Sequence, residues 1–288
     1  MFGHQSRNII HEDSSLSVLF QFILACMVCA GVSWSANASE SNLYSKSFQL
    51  SGIQELEISQ GYQVKVIQGN HEYVRATGPQ EVLSLIAAEY AEGKLSISSQ
   101  TGGLLPVTIE VGAKSLKRLT FESVSYAEVE ELTGESLKIS RSGDGQLHLG
   151  NIRSNSLKLV SQGSGQIHGD TLISENLSLT LSGTGQINVH SIQANHLQSS
   201  ISGSAGVYID KVGEVDTSAI QLSGSGLFDA ANVIIHEAEI AIAGSANALV
   251  NVMENLDVNT SGSGTVTYYG NPNINTGIFG TGFVRKAF

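Results

Sequence analysis

The sequence predicts an all-β fold: a parallel β-helix-like solenoid of about 20 residues per coil, preceded by an irregular β N-terminal region. Three observations carry this. Glycines recur at a nearly fixed interval: Gly143, Gly163, Gly183, Gly203, Gly224, Gly244, Gly262 and Gly280. Apolar residues alternate with polar ones at fixed offsets from each glycine, the period of strands rather than helices. Runs of Ser, Asn and Gly separate the alternating stretches, as turns require.

Taken in chain order, the first element is a leader. Residues Leu16–Val32 form an apolar run, and Ala36 and Ala38 fit a small-residue cleavage site, so residues 1–38 are expected to be a signal peptide. An uncleaved N-terminal anchor is the main alternative, and a lipoprotein attached at Cys26 a further one. Both cysteines, Cys26 and Cys29, and the single tryptophan, Trp34, lie in this segment. The remainder has neither thiol nor disulfide and depends on burial and hydrogen bonding alone. It keeps 14 basic against 24 acidic residues. That balance argues against nucleic acid and against anionic membranes as partners, since both call for basic patches. No membrane insertion is expected once the leader is removed.

Residues 39–140 form the N-terminal β region. Alternation marks strands around Phe48, Leu56–Ile58, Val64–Val66, Leu95–Ile97 and Val107–Val111. Glu81–Tyr90 reads either as a short helix or as a strand antiparallel to Leu95–Ser99. Leu116, Leu119 and Phe121 lead into the coils.

Residues 141–288 form the regular coils. Leu147, Ile167, Ile187, Val207, Phe228, Ala248, Val266 and Val284 should stack as one inward column. Leu149, Gly169, Val189 and Ile209 should form a second, and Ile152, Leu172, Ile192 and Val212 a third. Pairs such as Leu157 with Leu159, and Leu177 with Leu179 and Leu181, begin a later strand in each coil. Eight coils stacked at the strand spacing give a rod of about 35 Å. The repeated Gly-Ser-Gly is then a corner: glycine takes positive φ at low cost, and the neighbouring Ser or Thr bonds local backbone. A phosphate loop is excluded, because no Lys-Ser/Thr and no helix follows any of these glycines.

Between the inward columns lie outward ones with a distinctive composition. Gln146, Gln166 and Gln186 form one. His148, His168, Asn188 and Tyr208 form the next, with Asp229 after a one-residue insertion, and Gly150, Asp170, His190 and Asp210 form a third. Gln146, His148, Gln166, His168, Asp170, Gln186, His190, Tyr208 and Asp210 are therefore the candidate ligand-binding face. The plainer alternative is that these columns only solvate a strand face. His168, Asp170 and His190 are the residues that zinc chemistry would recruit, but no metal, cofactor or catalytic residue is assigned. Polysaccharide lyase or hydrolase chemistry wants paired carboxylates at a set gap, or bound calcium with a basic proton abstractor. Arg153 and Lys158, the nearest basic residues, have no such acidic set, and the short turns build no cleft walls. His71 and His236 read as isolated surface residues, and Tyr268, Tyr269, Phe279, Phe283 and Phe288 as caps for the open end of the rod.

The opening SFQLSGIQELEISQGYQVKVIQG, the later GKLSIS and the serial Ser-Gly-Ser-Gly units ending in GSGTVTYYGNP resemble the head GIN domain family of putative auto-transporter adhesins. The likeness spans residues 46–284, with Gly61–Gly69 and Tyr269–Pro272 its more specific parts. It implies a β-helix-like fold in exported bacterial proteins located in the periplasm, at the cell surface or outside the cell, and carries no catalytic residues. The chain shows no translocator strands after residue 284, so a complete auto-transporter is not expected. Three functions follow as expectations: a non-enzymatic adhesin binding a surface glycan or protein, a structural component of the cell envelope, or a carbohydrate-active enzyme.

Overall fold

The computed structural model describes residues 33–36, 43–99 and 104–287. The signal-peptide or anchor segment other than Ser33–Ala36, both cysteines and Phe288 lie outside them. About four-fifths of the described residues are strand, and the strands wind into coils because every coil solves the same burial problem in the same way. In the coil β11 (Gln146–Gly163), Leu147 and Leu149 are buried, then Ile152 and Ser154, then Leu157, Leu159 and Ser161. The alternation breaks phase after Leu149 and again at the exposed Asn155 and Ser156, so each coil consists of three straight runs joined by corners, the last corner at the glycine. The three runs stack into three faces around one continuous core.

Coils β10 (Tyr126–Gly143), β11, β12 (Gln166–Gly183) and β13 (Gln186–Gly203) pair in parallel, residue for residue, at an offset of 20. Leu147, Ile167, Ile187, Val207, Phe228, Ala248 and Val266 each have at most 0 % exposure, as one column should. The corner glycine is dictated twice over. Gly163 has φ +98°, and a Cβ there would come within 2.5 Å of the Gly143 carbonyl oxygen one coil before. The corner is held by main chain more than by serine hydroxyls: Ser164 N–H and Gly165 N–H both donate to the Gly143 carbonyl, at 3.0 and 3.2 Å, and later corners repeat the pattern. A hydroxyl contact joins Ser263 to Thr281 at 2.8 Å.

The coil after β13 is interrupted. It splits into β14 (Gly206–Ile209) and β15 (Gly213–Gly224), with the extra residue held in the bulge between them. Val212 therefore does not extend the column of Ile152, Leu172 and Ile192: it is 74 % exposed. The registers of the flanking strands put Gly213 level with Ile192 and pair it with the buried Val233. Ser191 Oγ donates to the Val212 carbonyl at 3.1 Å and Asn232 Nδ2 to that of Asp210 at 3.0 Å, which secures the bulge to the coils on either side. Parallel stacking resumes in β16 (Leu227–Gly244) and β17 (Asn247–Gly262). Register shifts between these two strands take up the shortening to 18 residues. The stack continues through β18 (Thr265–Tyr269), β19 (Asn273–Gly280) and β20 (Phe283–Lys286). Phe279 and Phe283 stay 74 % and 48 % exposed, so neither is folded over the end as a cap.

The N-terminal region extends the same faces. Strands β2 (Leu43–Gln49), β5 (Tyr73–Pro79), β8 (Leu104–Ala113) and β4 (Gly61–Gln68) join β10 on the first face. On the third face, β6 (Ile86–Ala91), β7 (Lys94–Ser99), β3 (Glu55–Ser59) and β9 (Arg118–Glu122) do the same. Strand β1 (Ser33–Ala36) pairs antiparallel with β2. Both readings of residues 81–90 hold in part: a single helical turn, α1 (Gln80–Leu83), precedes β6, which pairs antiparallel with β7. Ile53, Tyr62, Leu83, Leu116 and Phe121 are buried in the core of this region.

Candidate functional site

The first face carries the candidate residues, and its register is set by the buried columns beneath them. Gln146, Gln166 and Gln186 lie opposite one another, as do His148, His168, Asn188 and Tyr208. This second row runs on in both directions. Toward the N-terminus it passes Glu128, Lys65, Glu110 and Arg75, and toward the C-terminus Asp229, Leu249, Thr267 and Arg285. Alternating charges at the N-terminal end are paired: Lys65 Nζ lies 2.5 Å from Glu130 Oε1, and Arg75 lies 3.7 Å from Glu110, which also accepts from Tyr73 Oη at 2.6 Å. Those carboxylates hold the Lys65 ammonium and the Tyr73 phenol in their protonated forms, raising both pKa values.

In the centre the partners lie on successive coils, one pair diagonal and the other directly opposite. His148 Nε2 lies 3.6 Å from Asp170 Oδ2, and His190 Nδ1 lies 3.2 Å from Asp210 Oδ1, each carboxylate belonging to the next coil. His168 Nε2 instead meets Gln166 Oε1 of its own coil at 3.1 Å. The residues that zinc would recruit are thus divided among separate partners. Among the described residues no group of three or more His, Cys, Asp or Glu is placed to hold a metal ion. What the row presents is a sequence of donors, acceptors, two imidazoles and a phenol about one strand spacing apart on a flat sheet. Such an array suits contact with an extended partner better than reaction at one bond, which needs a concave site.

Sequence reading missed two features on the other faces. His236 is not isolated: Nδ1 lies 3.1 Å from Glu254 and Nε2 3.3 Å from Glu214, so hydrogen bonds to the two carboxylates raise its pKa. Two concave surfaces lie on the third face, where a groove of about 640 Å³ crosses the stack from Ser156 to Asp257 and a second, of about 430 Å³, passes Gln221 and Phe279. Its walls come from the corner column Ser156, Asn176, His196, Thr217 and Glu237. That column was legible as a set of polar positions but not as a hollow, because hollows depend on how far each side chain stands off its sheet.

A family model described as "Putative auto-transporter adhesin, head GIN domain" matches the chain twice, over residues 53–171 and 161–272. The matches overlap within the regular coils, where one coil resembles the next. Among solved structures, a "putative adhesin" from Parabacteroides merdae has a TM-score of 0.68 at 17% identity, covering 88% of this chain and 98% of its own. A "putative adhesin" from Parabacteroides distasonis has a TM-score of 0.68 at 18% identity, covering 86% and 98%. A "putative lipid binding protein" from the same organism has a TM-score of 0.66 at 23% identity, covering 86% and 98%. At these identities the likeness carries the fold alone. No curated protein matches the chain.

Proposed function

The chain belongs to the head GIN domain family of putative auto-transporter adhesins, and on that premise we propose that it is an exported, non-enzymatic interaction module. Its first face binds an extended surface glycan or protein. The observation that carries this reading is the unbroken outward row from Arg75 to Arg285. It crosses the N-terminal sheet and every coil without a gap in register. A partner lying along the rod would meet a new polar group at each coil, and many weak contacts in series give specificity without a pocket.

The test is a binding screen of the chain against polysaccharides and matrix proteins, with His168→Ala, Asp170→Ala and Tyr208→Ala beside the wild type. A ligand of this face should lose at least about tenfold in affinity when two of these are combined, since each truncated polar contact costs about 1 kcal/mol. The same incubations should release no new reducing ends. Unchanged binding in the combined variants would remove the first face from the account. New reducing ends would make the protein a carbohydrate-active enzyme.

A further inference from the structure

The third face carries a charge pattern that the coils themselves do not neutralise. One outward column runs Arg118, Lys138, Lys158, Ser178, Gln198, Ala219, Glu239, Asp257 and Asn275 in strict register. Arg118 is paired with Glu55 at 3.8 Å. Lys138 and Lys158 are exposed, stand one strand spacing apart, and among the described residues have no carboxylate within ion-pair distance. Glu239 and Asp257 stand in the same relation to each other, exposed and without a cation. Like charges opposite one another on neighbouring strands are destabilising, and this column holds two such pairs of opposite sign.

The pairs are symmetrically placed. Counting along the column from Gln198, Lys158 lies two positions before and Glu239 two after, while Lys138 lies three before and Asp257 three after. We propose that the third face is a self-complementary interface at which two copies of this chain pack side by side and antiparallel. A two-fold axis lying in the plane of the interface, parallel to the strands, passes near Gln198. The axis brings Lys158 of each copy to Glu239 of the other, and Lys138 to Asp257. Isologous closure of this kind uses one patch twice and ends at two copies.

Three further observations fit a second copy. Between the charged ends the column is short and uncharged, at Ser178, Gln198 and Ala219, so the two sheets can approach closely. The groove of about 640 Å³ lies along this column and ends at Glu237, Glu239 and Asp257, where it receives the long stems of the partner copy's lysines. The face measures roughly 20 Å by 35 Å, from about seven residues of strand and eight coils. Its area of about 700 Å² per copy is close to the roughly 800 Å² per partner of a specific interface. The first face points away from this contact, so the inference is independent of what that face binds.

The test is sedimentation of the whole chain and of two charge-reversed forms, Lys138→Glu with Lys158→Glu, and Glu239→Lys with Asp257→Lys. The wild type should be a dimer, and each reversed form should dimerise at least about tenfold more weakly, because like charges then face each other. Mixed one to one, the two reversed forms should recover a 1:1 complex, which also shows that both are folded. A monomeric wild type, a dimer indifferent to both reversals, or reversed forms that stay apart on mixing would each overturn the proposal. A monomeric wild type that instead binds a sulfated polysaccharide through Lys138 and Lys158 would give the face to an anionic polymer.

Discussion

Glycine has opposite meanings at two neighbouring positions. At the corner, Gly163→Ala must hold a positive φ and push its Cβ into the Gly143 carbonyl. It should cost at least about 2 kcal/mol and lower the thermal midpoint, as read by circular dichroism. Gly169 lies in an inward column between Leu149 and Val189 without positive φ, and a Cβ there would meet Val189 at 3.5 Å, an ordinary contact. Gly169→Ala should therefore stabilise by about 0.5–1 kcal/mol, and the same melting experiment should move the other way. The corner role is legible from spacing alone, whereas the gap at Gly169 needs the stacked coils to be seen. Arg141 was not legible at all. It lies 4 % exposed in a column between Phe121 and Ser161, its Nη2 bonded to the Gly143 and Gln162 carbonyls and its Nε and Nη1 unpartnered. Burial depresses its pKa, partly offset by Asp144. Since a buried cation without a bonded carboxylate repays little of its desolvation, Arg141→Met should be neutral or raise the urea midpoint. A fall would show that the carbonyl bonds outweigh that cost.

Among the elements, the coils are the part that sequence predicts best, because one burial pattern repeats and each repeat checks the last. Prediction fails where the phase changes. Val212 was assigned by counting, but the bulge between β14 and β15 takes the extra residue, and no local composition marks which of Asp210, Lys211 or Val212 leaves the stack. The contact of His236 with Glu214 and Glu254 was missed for the same reason: the three residues come from successive coils of unequal length. This clasp has a definite pH signature. The folded pKa of His236 is raised above its ordinary value of about 6.5, so the clasp contributes fully below that value. The contribution is lost as pH rises through the folded pKa. The gap in unfolding midpoint between wild type and His236→Ala should be wider at about pH 5.5 than at about pH 8.5. Equal gaps at the two pH values would mean that the glutamates do not hold the charged imidazole.

For the whole molecule, a stack in which each coil touches mainly its neighbours should lose structure from an end inward rather than all at once. Amide exchange should be slowest at Ile167, Ile187 and Val207 and fastest in β20, and uniform protection would contradict this. The candidate face was legible as columns but its pairing was not, since diagonal contacts such as His148 with Asp170 depend on side-chain reach between coils. The ladder bonds between coils also have a mechanical meaning. Each corner donates from one coil to the carbonyl of the coil before it, so these bonds point along the rod. Tension applied between the two ends of the chain therefore loads them one coil after another instead of sharing the force among all. A rod tethered at one end and pulled at the other would pay out by whole turns, each releasing about 20 residues of slack. A rod loaded this way would behave as a yielding spring and not as a rigid strut.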